Sequence, residues 1–182
     1  MVETDRGPLP FALVHGEPLV AAAAWALGEA GVFLVDLGTD WAAVVDAGTP
    51  FVLHDALCPL TPPAFLDACV VHAEEAGVVT VGVRPVTDTV KELAEGRVGA
   101  TVDRAGLLQV VSPVVLPAAV VAALDGVPPG DFAELVATLA ERFPVETLEA
   151  PAEARRVAGE EDLRVLEALT APQAQSSPRS DG

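Results

Sequence analysis

His54 and Asp55 stand side by side at the end of the apolar run Phe51–Leu53. A compact apolar run of this kind suits a strand inside a parallel sheet. In open α/β sheets, ligands gather beyond the carboxyl ends of the strands. The Asp55 carboxylate therefore stands where it could accept hydrogen bonds from a ligand. An aspartate at a strand end also caps turns and helices, so Asp55 alone fits either role. His15 and His72 lie elsewhere, and His72 falls mid-helix, where a surface or interface role fits. Cys58 could act as a nucleophile only with a histidine–carboxylate pair beside it, and His54 is its one near histidine. Cys58 and Cys69 make neither a disulfide framework nor a zinc-ligand spacing. The sequence contains no G-x-S-x-G, no Walker A loop, no G-x-G-x-x-G and no H-E-x-x-H.

The elements that must position these residues alternate. Strands are expected at Phe11–Val14, Val32–Leu37, Phe51–His54, Val78–Val83 and Val145–Leu148. Helices are expected at Pro18–Ala30, Asp40–Ala47, Pro62–Ala76, Leu116–Leu124, Phe132–Arg142 and Glu160–Leu169. Gly31 and Gly77 stop the first and third of these helices, and Thr61 is the expected N-cap of the third. Such alternation implies βαβ units, with helices on both faces of a mostly parallel sheet. The pattern breaks at about 84–109, which reads as a protruding two-stranded β-arm. Residues 1–170 form one domain on this reading. Residues 171–182 are rich in Pro, Ser and Gln and are expected to be disordered.

Composition narrows the partners. The 182 residues carry a net charge of −17, with a single lysine, Lys91, beside nine arginines. That charge repels nucleic-acid phosphates and anionic membranes, so neither is an expected partner. The apolar runs Pro18–Leu27 and Val114–Leu124 are far short of the ~20 residues that span a bilayer. Met1–Pro10 is acidic and has no apolar signal stretch. A cytoplasmic protein is expected.

Several segments, taken in order, carry a resemblance. The stretch Phe51-Val-Leu-His-Asp-Ala-Leu-Cys-Pro-Leu-Thr-Pro-Pro63 resembles an HDAxRP segment. Arg84-Pro-Val-Thr-Asp-Thr-Val-Lys-Glu92 resembles PVxDTxK, and Thr101-Val-Asp-Arg-Ala-Gly-Leu-Leu108 resembles TVDRxxL. Ser112-Pro113 stands at a Thr-Pro-Gln position. Ala154-Arg-Arg-Val157, followed by Glu161-Asp-Leu163, resembles a closing NIKVT…EDL. Together they are similar to the methylerythritol-phosphate cytidylyltransferases, which have a Rossmann-like nucleotide-diphospho-sugar transferase fold.

The resemblance implies transfer of a cytidylyl group from CTP to a sugar phosphate in isoprenoid precursor synthesis, with Mg²⁺ if the chain is active. It implies that Asp55 and Thr89 contact the acceptor. It implies a homodimer through the arm, with Arg104 reaching the phosphate in the partner subunit. Arg156 stands at the family's NIK lysine, where a planar fork replaces a compact ammonium. The donor side departs from the family. Leu9–Val14 resembles its PKAL segment with Phe11 in place of lysine. His15-Gly16-Glu17-Pro18 replaces the Gly-rich loop that wraps the triphosphate. No GGxxRxxSV stretch follows, and Cys58 stands for the HDAxRP arginine. Three readings follow: an inactive dimer subunit, including a heterodimer with a full-length cytidylyltransferase; an active enzyme with an atypical donor site; or a sugar-phosphate-binding module.

Overall fold

A computed structural model describes residues 8–36, 38–87, 91–94, 96–126 and 131–171. The chain opens with a 3₁₀ turn, Leu9–Phe11, and a small hairpin of β1 (Leu13–Val14) and β2 (Glu17–Pro18). Gly16 sits at the turn with φ +86, a conformation that favours glycine. The helices are α1 (Leu19–Glu29), α2 (Trp41–Asp46), α3 (Pro63–Ala76), α4 (Ala118–Ala122), α5 (Phe132–Ala140) and α6 (Glu160–Thr170). The remaining strands are β3 (Phe51–Leu53), β4 (Val79–Pro85), β5 (Lys91–Ala94), β6 (Arg97–Thr101), β7 (Leu108–Leu116) and β8 (Val145–Glu149).

The central sheet has the order β3-β7-β4-β8. β4 and β8 pair in parallel, while β7 runs antiparallel to both β3 and β4. Three strands therefore share one direction and β7 opposes them. β4 is covered on both faces, so Val79–Val83 is buried at every position. That explains its continuous apolar run. Phe51 and Leu53 of β3 pack into the cluster of Val81, Leu116, Leu135 and Leu139, beneath α4 and α5. Val52 points the other way, toward α1 and α3. Each fully buried leucine or valine here contributes roughly 1.5–3 kcal/mol.

β7 was not expected as a strand, because Pro113 interrupts its apolar run. The register shows why the proline is tolerated. Val81 pairs Val114 and Val83 pairs Val110, so only Gly82 lies opposite residues 111–113. Pro113 falls in this bulge, where no ladder donor is required. Gly82 is needed at the same place. A Cβ there would lie 2.8 Å from the Ser112 carbonyl oxygen.

Other differences are local. Thr61 does not cap α3: its hydroxyl donates to the Cys58 carbonyl at 2.9 Å, and Pro62 occupies the cap position. Gly77 ends α3 in the left-handed region, as expected. Leu116 belongs to β7, so α4 begins only after Pro117. Asp40 caps α2 by accepting from the Ala42 N–H, and Asp131 caps α5 by accepting from the Glu134 N–H. The arm is a hairpin of β5 and β6, with Leu93 opposite Val98.

The largest departure concerns the two strands expected before β3. Leu13–Val14 pairs with Glu17–Pro18 and does not enter the central sheet. Residues 32–36 form no strand. Among the described residues, β3 is the sheet's edge.

Candidate functional site

Asp55 lies just beyond β3 and is 7% exposed. Its position is fixed from several sides. Its backbone N–H donates to Ser112 Oγ at 2.6 Å, and its carbonyl accepts from the Cys58 N–H at 2.8 Å. Oδ1 accepts from the Leu57 N–H at 2.9 Å, and Oδ2 accepts from Arg156 Nε at 2.9 Å. The turn-capping role and the site role therefore belong to different oxygens of one carboxylate.

Arg156 is separated from Asp55 by a hundred residues of sequence, and the segment after β8 carries it there. The Ala150 N–H donates to the Val83 carbonyl at 2.8 Å, extending the β4–β8 edge by one residue. The Arg84 guanidinium donates to the Ala150 and Pro151 carbonyls. Ala154 is fully buried against Cys58, Val111 and Ala150. The Val157 N–H then donates to the Leu57 carbonyl at 2.7 Å. These ties lay residues 150–157 across the turn that follows Asp55. Among the described residues, only the Nε of Arg156 is committed to a hydrogen bond. Its side chain stays about one third exposed.

The neighbouring arginine does something else. Arg155 pairs with Asp162 at 3.1 Å, and the other Asp162 oxygen accepts from the Ala158 N–H. Arg155 therefore anchors the start of α6. Arg104 follows the arm's second strand and donates to the Thr87 carbonyl. Thr89 lies outside the described residues. Cys58 is wholly buried and packs against Val111 and Ala154, which makes it a core residue.

Two groups are displaced from their ordinary ionisation. Burial lowers the His54 pKa from 6.5 to about 4, against the opposing pull of the Asp55 carboxylate and the Cys58 backbone. Neither ring nitrogen makes a hydrogen bond of proper geometry among the described residues. Burial likewise pushes the Cys69 thiol up to about 12.

Sequence reasoning missed Ser112 as a builder of this site. Its only signal was a motif position, and its place opposite Asp55 depends on the β3–β7 pairing. A second signal was visible but unused: between Arg6 and Arg84 the sequence has no lysine or arginine. Positions 7–83 thus bring no lysine or arginine to the site.

Residues 38–171 match the family model described as 2-C-methyl-D-erythritol 4-phosphate cytidylyltransferase (IspD). The chain belongs to this family. A curated cytidylyltransferase of that name from Frankia casuarinae is 39% identical over 135 residues, which is 71% of this chain and 49% of the relative. One from Nocardia farcinica is 32% identical over 202 aligned positions, covering 91% of this chain and 86% of the relative. That alignment is longer than the 182 residues here, so it leaves gaps opposite part of the relative. The chain spans about half the length of the Frankia relative and 28% of one from Syntrophotalea carbinolica.

The fold agrees with the family. The crystal structure of the cytidylyltransferase from Thermus thermophilus superposes with a TM-score of 0.64 at 24% identity, covering 90% of this chain and 94% of that one. The mixed α/β architecture with a central sheet is therefore that of the IspD structures. No described helix is long and apolar enough to cross a membrane.

Proposed function

We propose that this IspD-family chain retains the acceptor side of a cytidylyltransferase site and does not transfer a cytidylyl group by itself. It serves instead as a dimer subunit. The observation that carries this reading is the absence of any lysine or arginine between Arg6 and Arg84. Transfer from a nucleoside triphosphate depends on cations and backbone N–H groups that neutralise charge building on the phosphates. The His15–Pro18 segment, which stands in sequence where the family's Gly-rich loop is expected, brings Glu17 and no lysine or arginine. The described residues also gather no cluster of three or more His, Cys, Asp or Glu side chains that could hold a metal.

A second reading, a sugar-phosphate-binding module, is favoured by the Asp55–Arg156 geometry. Asp55 holds Arg156 through Nε and leaves the two terminal nitrogens to meet a phosphate as a fork. Thr89, and Arg104 acting across the dimer, would complete this acceptor pocket. The arm supports a homodimer, or a heterodimer with a full-length cytidylyltransferase, because it exposes Leu93 and Val98 side by side.

Isothermal titration tests both readings. CTP–Mg²⁺ is expected to produce no heat at micromolar protein concentration, and micromolar binding would overturn the first reading. Methylerythritol phosphate binding that is lost in Arg156→Ala would establish the module. Light scattering is expected to give a dimer.

A further inference from the structure

The open edge of β3 is more than a missing neighbour. A cleft of about 680 Å³ runs along it. Consecutive residues Phe51–Asp55 line one side, and Val32–Val35 line the other. Successive side chains of a strand point to opposite faces. A cleft lined by every residue of β3 therefore follows the edge of the strand and is not a pocket on one face. The faces are already covered: Leu27 and Val70 close one side, while Phe132 and Leu135 close the other. The space has the form of a strand position with helices in place and no strand.

The lining determines what could fill it. Asp55 is its one formally charged residue, and that charge is held by Arg156. A strand covered on both faces needs an apolar side chain at nearly every position. Around this neutral slot the chain carries a net charge of −17, with no lysine or arginine from Gly7 to Val83. A partner with positive charge beside its apolar run is complementary to that field.

We infer that the slot beside β3 accepts an extended apolar segment of about five residues, flanked by basic residues and supplied by another polypeptide, which pairs with the β3 backbone as an added strand. This rests on the half-site reading above, since it places the missing structure on the donor side. Its test is binding alone, independent of sugar-phosphate binding or turnover.

The probe is a fluorescein-labelled peptide of sequence KKTVVLVVKK, titrated into the full chain by fluorescence anisotropy. Saturable binding is expected, with slowed hydrogen exchange of the amides of Phe51–His54. Two altered peptides are expected to bind at least tenfold more weakly: KKTVPLVVKK, which breaks strand pairing, and EETVVLVVEE, which inverts the flanking charge. Val35→Lys on the exposed wall is expected to weaken the parent peptide to a similar degree without changing the circular dichroism spectrum. Absence of binding, or equal binding of the proline peptide, overturns the added strand. Equal binding of the acidic peptide overturns the basic partner. Self-association of the chain that Leu34→Lys abolishes, while an arm variant such as Val98→Lys does not, would show the slot filled by a second copy and overturn the inference.

Discussion

The two sides of Asp55 differ in how they are finished. On the side of β7 and the 150–157 segment, Ser112, Leu57, Cys58 and Arg156 all converge on one aspartate. On the side of β3's outer edge, no further strand pairs among the described residues, an apolar cleft opens, and Phe33 stands 92% exposed. The same residue thus borders a completed half-site and an uncompleted one. The difference teaches that the acceptor-side geometry does not depend on the donor side. It is held by β7, β4 and β8, which form one ladder without help from strands beyond β3.

The contrast can be broken most severely at its hinge. Asp55→Ala removes the acceptor of the Leu57 N–H and strands Arg156. We expect a loss of roughly 3 kcal/mol in urea unfolding, together with loss of any sugar-phosphate binding. A loss below about 1 kcal/mol would mean that the half-site is not held through Asp55.

His54 offers a test of similar size through pH. Its folded pKa lies below its unfolded one, so the unfolded chain binds the extra proton. The stability from keeping it neutral is therefore complete above pH 6.5. It is lost as pH falls from 6.5 toward about 4. The loss should amount to up to about 3 kcal/mol. His54→Gln is expected to flatten that part of the profile relative to the unsubstituted protein. Unfolding curves at pH 7.5, 6, 5 and 4 for both proteins check it, and equal slopes would refute the burial of a neutral imidazole.

Gly82→Ala probes the closed side. The new methyl would press on the Ser112 carbonyl, beside the hydroxyl that holds Asp55. A cost of about 1–3 kcal/mol is expected by thermal or urea unfolding. On the open side the effect should nearly vanish. Phe33→Lys replaces a solvated side chain and should change stability by no more than about 0.5 kcal/mol. A large loss there would mean that residues 32–36 are already packed in solution. The smallest effect concerns Cys69, whose thiol burial keeps protonated. It should resist iodoacetamide at pH 8 in the native state and react on unfolding, as followed by mass spectrometry.

Much of the fold was legible because local chemistry agreed with it. α5 and α6 have clear apolar periodicity, α3 has recognisable ends, and Gly77 needed its positive φ. β4 and β8 were legible as apolar runs between helices. Phe11–Val14 is a strand only at Leu13–Val14, in a hairpin outside the central sheet, and residues 32–36 form none, because an apolar run records suitability for a strand and not the presence of a partner edge. β7 was hidden for the opposite reason: Pro113 argues against a strand locally, and only a bulge across from Gly82 makes room for it. Within the site, Asp55 and Arg156 were legible through motif order. Ser112 was not, since its role is set by strand register.

What the sequence by itself determined is the family, the alternating α/β pattern, the arm and the scarcity of positive charge. These are properties of residue order and composition, which need no third dimension. The tertiary structure alone decided that Asp55 and Arg156 meet, that Arg155 turns to α6 instead, and that β3 is the edge of the sheet among the described residues. Each of those depends on which elements lie side by side. Pairing energy is realised between groups brought within about 3 Å, and distance along the chain says little about which groups those are.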